Sequence, residues 1–292
     1  MAAAAQRPKL VTVVGQTASG KTALVLQIAK EFNGEVIAAD SWTVYKGFNI
    51  GTAKPSKLDQ KEVKHHLLDI REARQGFNAP LFKKLAEAAI RDIQGRGKLP
   101  ILVGGTGLYI DSVLLDYGFL PGVSRRKRAA LEALGLPDLI QKAEEDGTDL
   151  SGVDTKNKRR IIRAIEAKGQ KPTKKDLRPD VLVIGIKVDP QELKERIKQR
   201  TDQMLIAGLK NEVKELAVKY GWDQEPMKGV GYQQWREYFE GTQSLEQTRQ
   251  RIVSATEGLA KRQYTWLKRN KFINWFKSPE QAYKYIKQQL NT

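Results

Sequence analysis

The chain of 292 residues has no cysteine, which excludes disulfides and thiolate metal sites and suits a reducing compartment. Histidine is almost absent as well. His65 and His66 are the only two, and adjacent residues do not easily share one metal, so a zinc site is not expected and both are assigned to structure or pocket lining. No apolar run approaches the ~20 residues of a membrane span. The apolar start of "MAAAAQRPK" stops at Arg7 and Pro8, too soon for a secretory leader, so a frayed N-terminus on a soluble cytoplasmic protein is expected. Acid is scarce relative to base, with 34 Asp+Glu against 51 Lys+Arg and a net charge of +17. That excess fixes no fold, but it favours polyanionic partners. Internal repeats and low-complexity segments are also missing.

What is present begins with "VVGQTASGKT". A β-branched run, "LVTVV", leads into G-x-x-x-x-G-K-T, formed by Gly15, Gln16, Thr17, Ala18, Ser19, Gly20, Lys21 and Thr22. "TALVLQIAKEF" then reads as a helix. Glycines at both ends let successive N–H groups turn toward phosphate oxygens, Lys21 adds a point charge, and the Thr22 hydroxyl is placed for Mg²⁺. The helix N-terminus faces the same anion. Strand before and helix after make a chance turn a poor explanation. The loop specifies a polyphosphate, however, and not a base or a sugar.

Strand and helix alternate over the first hundred-odd residues, through "EVIAAD", the helical "FNAPLFKKLAEAAIRDIQGRGK" and the strand "LPILVGG". This is βαβ patterning and predicts a mainly parallel sheet. From about Pro121 the chain turns to short charged helices, and strand character returns at "VLVIGIKV". Two long helical stretches and the short strand "FINWF" follow. The expected architecture is an α/β P-loop core, residues 8–119 and 179–292, interrupted by a helical insertion over 120–178.

Asp40 ends the second strand 19 residues after Lys21, and strand C-termini line the ligand crevice of an open α/β sheet. It has three readings: a Mg²⁺ ligand, a helix N-cap in "DS", or a general base. The strand "ILVGGTGLYI" carries no acid at its end. Its Gly104–Gly107 offers backbone amides and the Thr106 hydroxyl, or else only a tight turn. Base is concentrated in two places. Ten Lys/Arg lie between Lys156 and Arg178 against Glu166 and Asp176, and residues 258–274 hold five cations, no acid, Tyr264 and Trp266. Cations without compensating carboxylates, interleaved with aromatics, point to nucleic acid rather than to a merely solvated face.

"GQTASGKT", "DSWTVYKGFNIGTAKP", "HHLLDI", "LVGGTGLYI", "RTDQMLIAGLKNEV", "GVGY" and "AKRQYTWLKRN" stand in the order found in tRNA dimethylallyltransferases, which the chain resembles from about Leu10 to Asn270. The resemblance implies transfer of a dimethylallyl group from dimethylallyl diphosphate to N6 of adenosine 37 of tRNA, 3′ of the anticodon, with Mg²⁺ as cofactor. It implies that Gly15 to Thr22 bind the diphosphate and Thr22 the metal. Asp40 would be the general base, Thr106 a donor to the bridging oxygen, and Arg200 a brace on the diphosphate. Contacts to tRNA would come from Asp40, Ser41, Trp42, Thr43 and Thr106, and from Arg128, Arg159, Arg160, Ile161, Ile162 and Arg163. Further contacts would come from Lys228, Gly231, Tyr232 and Gln233, and from Lys261, Arg262, Gln263, Tyr264, Thr265, Trp266, Leu267 and Lys268. The insertion would grip the anticodon stem-loop of a monomeric enzyme that uses no membrane. Departures are Gln16 where proline is usual, the variable pair Trp42–Thr43, and Gln233 where Lys or Arg is common. No zinc-finger extension of the eukaryotic kind is seen, so a bacterial type is expected. Two other readings fit parts of the sequence: a kinase with the insertion as lid, and an RNA-binding protein with an idle phosphate loop.

Overall fold

The computed structural model describes residues 8–120 and 122–291. They form two compact units, one taking the chain as far as Leu114 and again from Leu177, the other Leu115–Asp176.

The first unit is built on six strands: β1 (Leu10–Gly15), β2 (Gly34–Ala39), β3 (His65–His66), β4 (Leu99–Gly104), β5 (Val181–Ile186) and β6 (Asn274–Phe276). Every pairing is parallel, in the order β3-β2-β4-β1-β5-β6. The expected P-loop α/β core with a mainly parallel sheet is therefore what the chain forms. β1 is central and wholly buried, which is why its sequence is a continuous apolar run without alternation. Parallel strands deliver their C-termini to one edge, where Gly15, Asp40 and Gly104 follow or end β1, β2 and β4.

Helices α1 (Lys21–Glu31), α2 (Lys57–Glu62), α3 (Ala79–Gly95) and α4 (Gly107–Leu114) belong to this unit. α3 starts where Asn78 accepts from the Leu81 N–H, with Pro80 in its first turn, a standard N-terminal signal. The second unit holds α5 (Arg125–Ala133), α6 (Leu136–Glu145) and α7 (Lys158–Glu166). Back in the first unit come α8 (Pro190–Ile206), α9 (Leu209–Tyr220), α10 (Arg236–Phe239), α11 (Leu245–Leu267) and α12 (Pro279–Asn291). Among the described residues no helix is long and apolar enough to cross a membrane.

Two boundaries differ from the sequence reading. "ILVGGTGLYI" is not one strand, since β4 stops at Gly104 and α4 begins at Gly107. The stretch from Pro190 to Tyr220 breaks between α8 and α9 at Gly208, whose φ of 97° is open chiefly to glycine.

Hydrophobic clusters hold the elements together. Val11, Val13, Leu24, Ile28, Ile101, Ile184, Ile197 and Ile286 pack around the sheet. Beneath the long connection after β2, Tyr45, Phe48, Val213, Tyr232 and Trp235 form a second cluster. In the inserted unit, Leu131, Leu139, Ile161, Ile162 and Ile165 make its own small core.

Candidate active site

The phosphate loop curls through φ angles of 154° at Gly15, 61° at Ala18 and 89° at Gly20. A Cβ at Gly15 would lie 2.7 Å from the Ile186 carbonyl oxygen, so only glycine fits between β1 and β5. Gly20 precedes α1 with no side-chain cap, leaving the first amides of that helix open to an anion. Lys21 Nζ folds back onto its own loop, donating to Gln16 O at 2.5 Å and Ser19 Oγ at 3.3 Å. Burial, helped by neighbouring Arg200 and opposed by Asp40, pushes the Lys21 pKa from 10.5 to about 7. Burial likewise lowers that of Arg200, with Asp40 working against it.

Arg200 reaches in from α8 and donates to Thr17 Oγ1 at 3.2 Å. The Thr17 N–H in turn donates to Gln263 Oε1 of α11 at 2.8 Å. Asp40 Oδ1 accepts from the N–H groups of Trp42 at 2.8 Å and Thr43 at 3.3 Å. This is a cap on a turn and not on a helix, for the next helix after Asp40 starts only at Lys57. Asp40 Oδ2 has no hydrogen bond among the described residues.

These groups share one cavity of about 550 Å³, lined by Thr17 to Thr22, Asp40, Trp42, Thr43, Gly104, Gly105, Arg200, Gly231 and Gln263. Thr106 is not in its wall, although its N–H donates to Ala39 O at 3.4 Å and so stands beside Asp40. Sequence reasoning missed several lining residues. Arg196 is one turn before Arg200 on α8, a spacing that could have flagged it. Val25, Val36, Ala38, Leu68 and Val103 give the cavity an apolar arm, joined by His65. His65 Nδ1 is 2.7 Å from Val63 O and burial lowers its pKa, so the ring is neutral at physiological pH. His66 Nε2 instead meets Glu35 at 2.7 Å. No cluster of three His, Cys, Asp or Glu occurs among the described residues.

Against known proteins, the family model described as IPP transferase matches residues 43–270. The chain belongs to the IPP transferase family. A tRNA dimethylallyltransferase of Anoxybacillus flavithermus is 38% identical over 279 residues, covering 92% of this chain and 90% of that one. One from Streptococcus suis is 39% identical over 284 residues, with 95% of each chain covered. Among solved structures, a tRNA isopentenylpyrophosphate transferase from Bacillus halodurans superposes with a TM-score of 0.75 at 33% identity, covering 98% of this chain and 97% of that one. A eukaryotic dimethylallyltransferase acting on tRNA gives 0.77 at 25% identity, covering 97% and 77%.

The residues that the resemblance assigned to RNA are unevenly disposed in this IPP transferase. Lys228, Gln233, Lys261, Arg262 and Lys268 are exposed. The side chains of Tyr232, Ile161, Ile162 and Leu267 are in the core at no more than 1% exposure, so they have only backbone to offer a ligand. Tyr232 donates to Glu212, whose carboxylate also accepts from the N–H groups of Asn49, Ile50 and Gly51. The pair pins the long loop after β2 onto α9. Trp266 donates to Asp111 at 2.7 Å, and Tyr264 packs edge-on to Trp275. In the inserted unit, Arg128 and Arg163 both hold the nearly buried Glu166, at 2.9 and 3.2 Å. Arg160 pairs with Asp154 at 3.4 Å.

Proposed function

We propose that this IPP transferase moves a dimethylallyl group from dimethylallyl diphosphate to N6 of adenosine 37 of tRNA in the cytoplasm, acting as a monomer and releasing diphosphate. The observation that carries this reading is the composition of the cavity. A phosphate loop, the three cations Lys21, Arg196 and Arg200, and one carboxylate face it together with an apolar arm, while β4 ends at Gly104 and runs into Gly105 with no second acid for triphosphate hydrolysis.

An allylic diphosphate ionises readily because the cation spreads over three carbons, so the site must neutralise the leaving group and align a nucleophile. Loop amides, the first turn of α1, Lys21 and Arg200 supply the first requirement. The apolar arm suits a five-carbon tail. The adenine must leave its stack to reach the cavity. Its N6 lone pair is conjugated into the ring, so the C–O bond breaks and the N–C bond forms as a proton leaves N6. Asp40 Oδ2 is the acceptor with no other partner.

A Mg²⁺ ion fits the donors present. The exposed Thr22 hydroxyl at the loop and the half-buried Asp40 are oxygen donors, too few for an all-protein cage but suited to an ion that keeps waters and binds through phosphates. When bound it would screen the diphosphate charge. Thr106, next to Ala39 O, is proposed as a donor to the bridging oxygen. RNA phosphates would meet the exposed cations of α11 and the base-rich insertion, including Arg159 and Arg160.

The test is label transfer to bulk tRNA from dimethylallyl diphosphate against γ-labelled ATP. Label from the first alone is expected. Label from ATP alone, on tRNA or on a small molecule, would establish a kinase instead.

A further inference from the structure

One face of α11 is tied to the diphosphate loop. Gln16 Nε2 donates to Ala260 O at 3.2 Å, and one turn further along Gln263 Oε1 accepts from the Thr17 N–H at 2.8 Å. Gln263 is held from its other side by the floor of the site. A Cβ at Gly105 would lie 2.2 Å from Gln263 Nε2, so the amide is seated against a position where only glycine leaves room. Thr17 is also the residue whose hydroxyl accepts from Arg200, and it precedes the left-handed turn at Ala18. Gln263 therefore fixes the apex of the loop, and through Thr17 the place of the Arg200 guanidinium. The opposite face of the same helical turns presents Lys261, Arg262 and Lys268 to solvent.

We propose that Gln263 is a positioning residue that couples the two substrate sites, so that RNA docked on α11 strengthens diphosphate binding in the loop. The inference rests on the function proposed above, which supplies RNA and diphosphate as the ligands. RNA phosphates on the exposed face restrain α11. Gln263 carries that restraint to Thr17, and a loop already ordered loses less freedom when the diphosphate arrives. Reciprocity requires diphosphate to tighten RNA binding by the same factor. Like charge on the two ligands opposes the effect, so a positive coupling measures the strut and not the field.

The experiment uses the full chain, inorganic diphosphate with Mg²⁺, and an anticodon stem-loop RNA. Diphosphate affinity is measured with and without saturating RNA in wild type, Gln263→Ala and Gln263→Glu. In wild type the RNA should raise affinity by roughly tenfold, inside the ~5–150-fold range usual for coupled sites. Gln263→Ala should bring the ratio to within about twofold of unity, whereas Gln263→Glu, which keeps an acceptor for the Thr17 N–H, should retain it. The added charge of Glu weakens diphosphate binding in both states and cancels in the ratio. A strut that merely supports the fold would lower both affinities equally, and an unchanged ratio in Gln263→Ala would overturn the proposal. So would a wild-type ratio of one with both ligands bound, which leaves the enzyme reading standing. Failure of the wild-type protein to bind either ligand would remove that reading and this inference together.

Discussion

Lys21 gives the most exposed quantitative test of the site. In the free protein its ammonium is crowded by burial and by Arg200, with Asp40 too weak an offset, and its pKa falls from 10.5 to about 7. At pH 8 roughly nine in ten free loops therefore hold a neutral amine, at pH 6 roughly one in ten. A bound diphosphate brings anionic oxygens to that nitrogen and restores the proton. Binding should take up about 0.9 proton through Lys21 at pH 8 and about 0.1 at pH 6, and affinity should fall by up to ~tenfold per unit above pH 7. Calorimetric titration with inorganic diphosphate, in buffers of differing ionisation enthalpy, reads the uptake directly. Protonation of the diphosphate itself contributes a background, which Lys21→Arg isolates because a guanidinium stays charged throughout. The difference between wild type and Lys21→Arg should be about 0.8 proton larger at pH 8 than at pH 6. An equal difference at the two pH values would refute the reasoning. The sign extends to folding. Between pH 7 and 10.5 the unfolded chain holds a proton that the folded chain lacks, so this lysine makes the free protein more stable as pH rises through that window, the reverse of an ion-paired lysine.

Asp40→Asn should keep the turn, because the amide oxygen still accepts from Trp42 and Thr43, while single-turnover prenyl transfer falls by about 10²–10⁴. A rate within about threefold of wild type at saturating substrates, far short of that range, would remove Asp40 as the base. Gly107→Ala should destabilise the fold by about 1–3 kcal/mol, read from denaturant midpoints, as overpacking against a ring does. The new Cβ would sit 2.0 Å from Trp266 Cδ1, and an unshifted midpoint would mean that α11 yields there freely.

The sheet and the phosphate loop were legible because their signals are local: a β-branched run, a glycine pattern and a following helical stripe. What was not legible depends on partners far along the chain. Trp266 among cations reads as a base-stacking ring, yet Asp111 on α4 takes its N–H. Arg128 and Arg163 read as phosphate contacts, yet both converge on Glu166, a meeting that only the packing of α5 on α7 decides. The resemblance assigns Gln263 to tRNA with the rest of its basic segment. Its use as an acceptor for Thr17 has no signature, since the two are 246 residues apart. The break of "GGTG" into strand end and helix start was hidden by the apolar "LYI" after it, which serves a helix as well as a strand.

The place of β1 has a consequence for how the protein is made. It leaves the ribosome before the other strands of its sheet, but it is paired on one side by β4 and on the other by β5, whose Val181 aligns with Leu10. About 170 residues of synthesis separate those partners, on the order of ten to thirty seconds at cellular elongation rates. Through that interval a strand that is wholly buried in the finished fold has an unfilled edge, a hazard for mispairing. The loop that follows it waits longer still, for Gln263 and Ala260. A nascent chain therefore has its phosphate-binding sequence long before it has a phosphate-binding site, and a fragment truncated before α11 should form no smaller version of the enzyme.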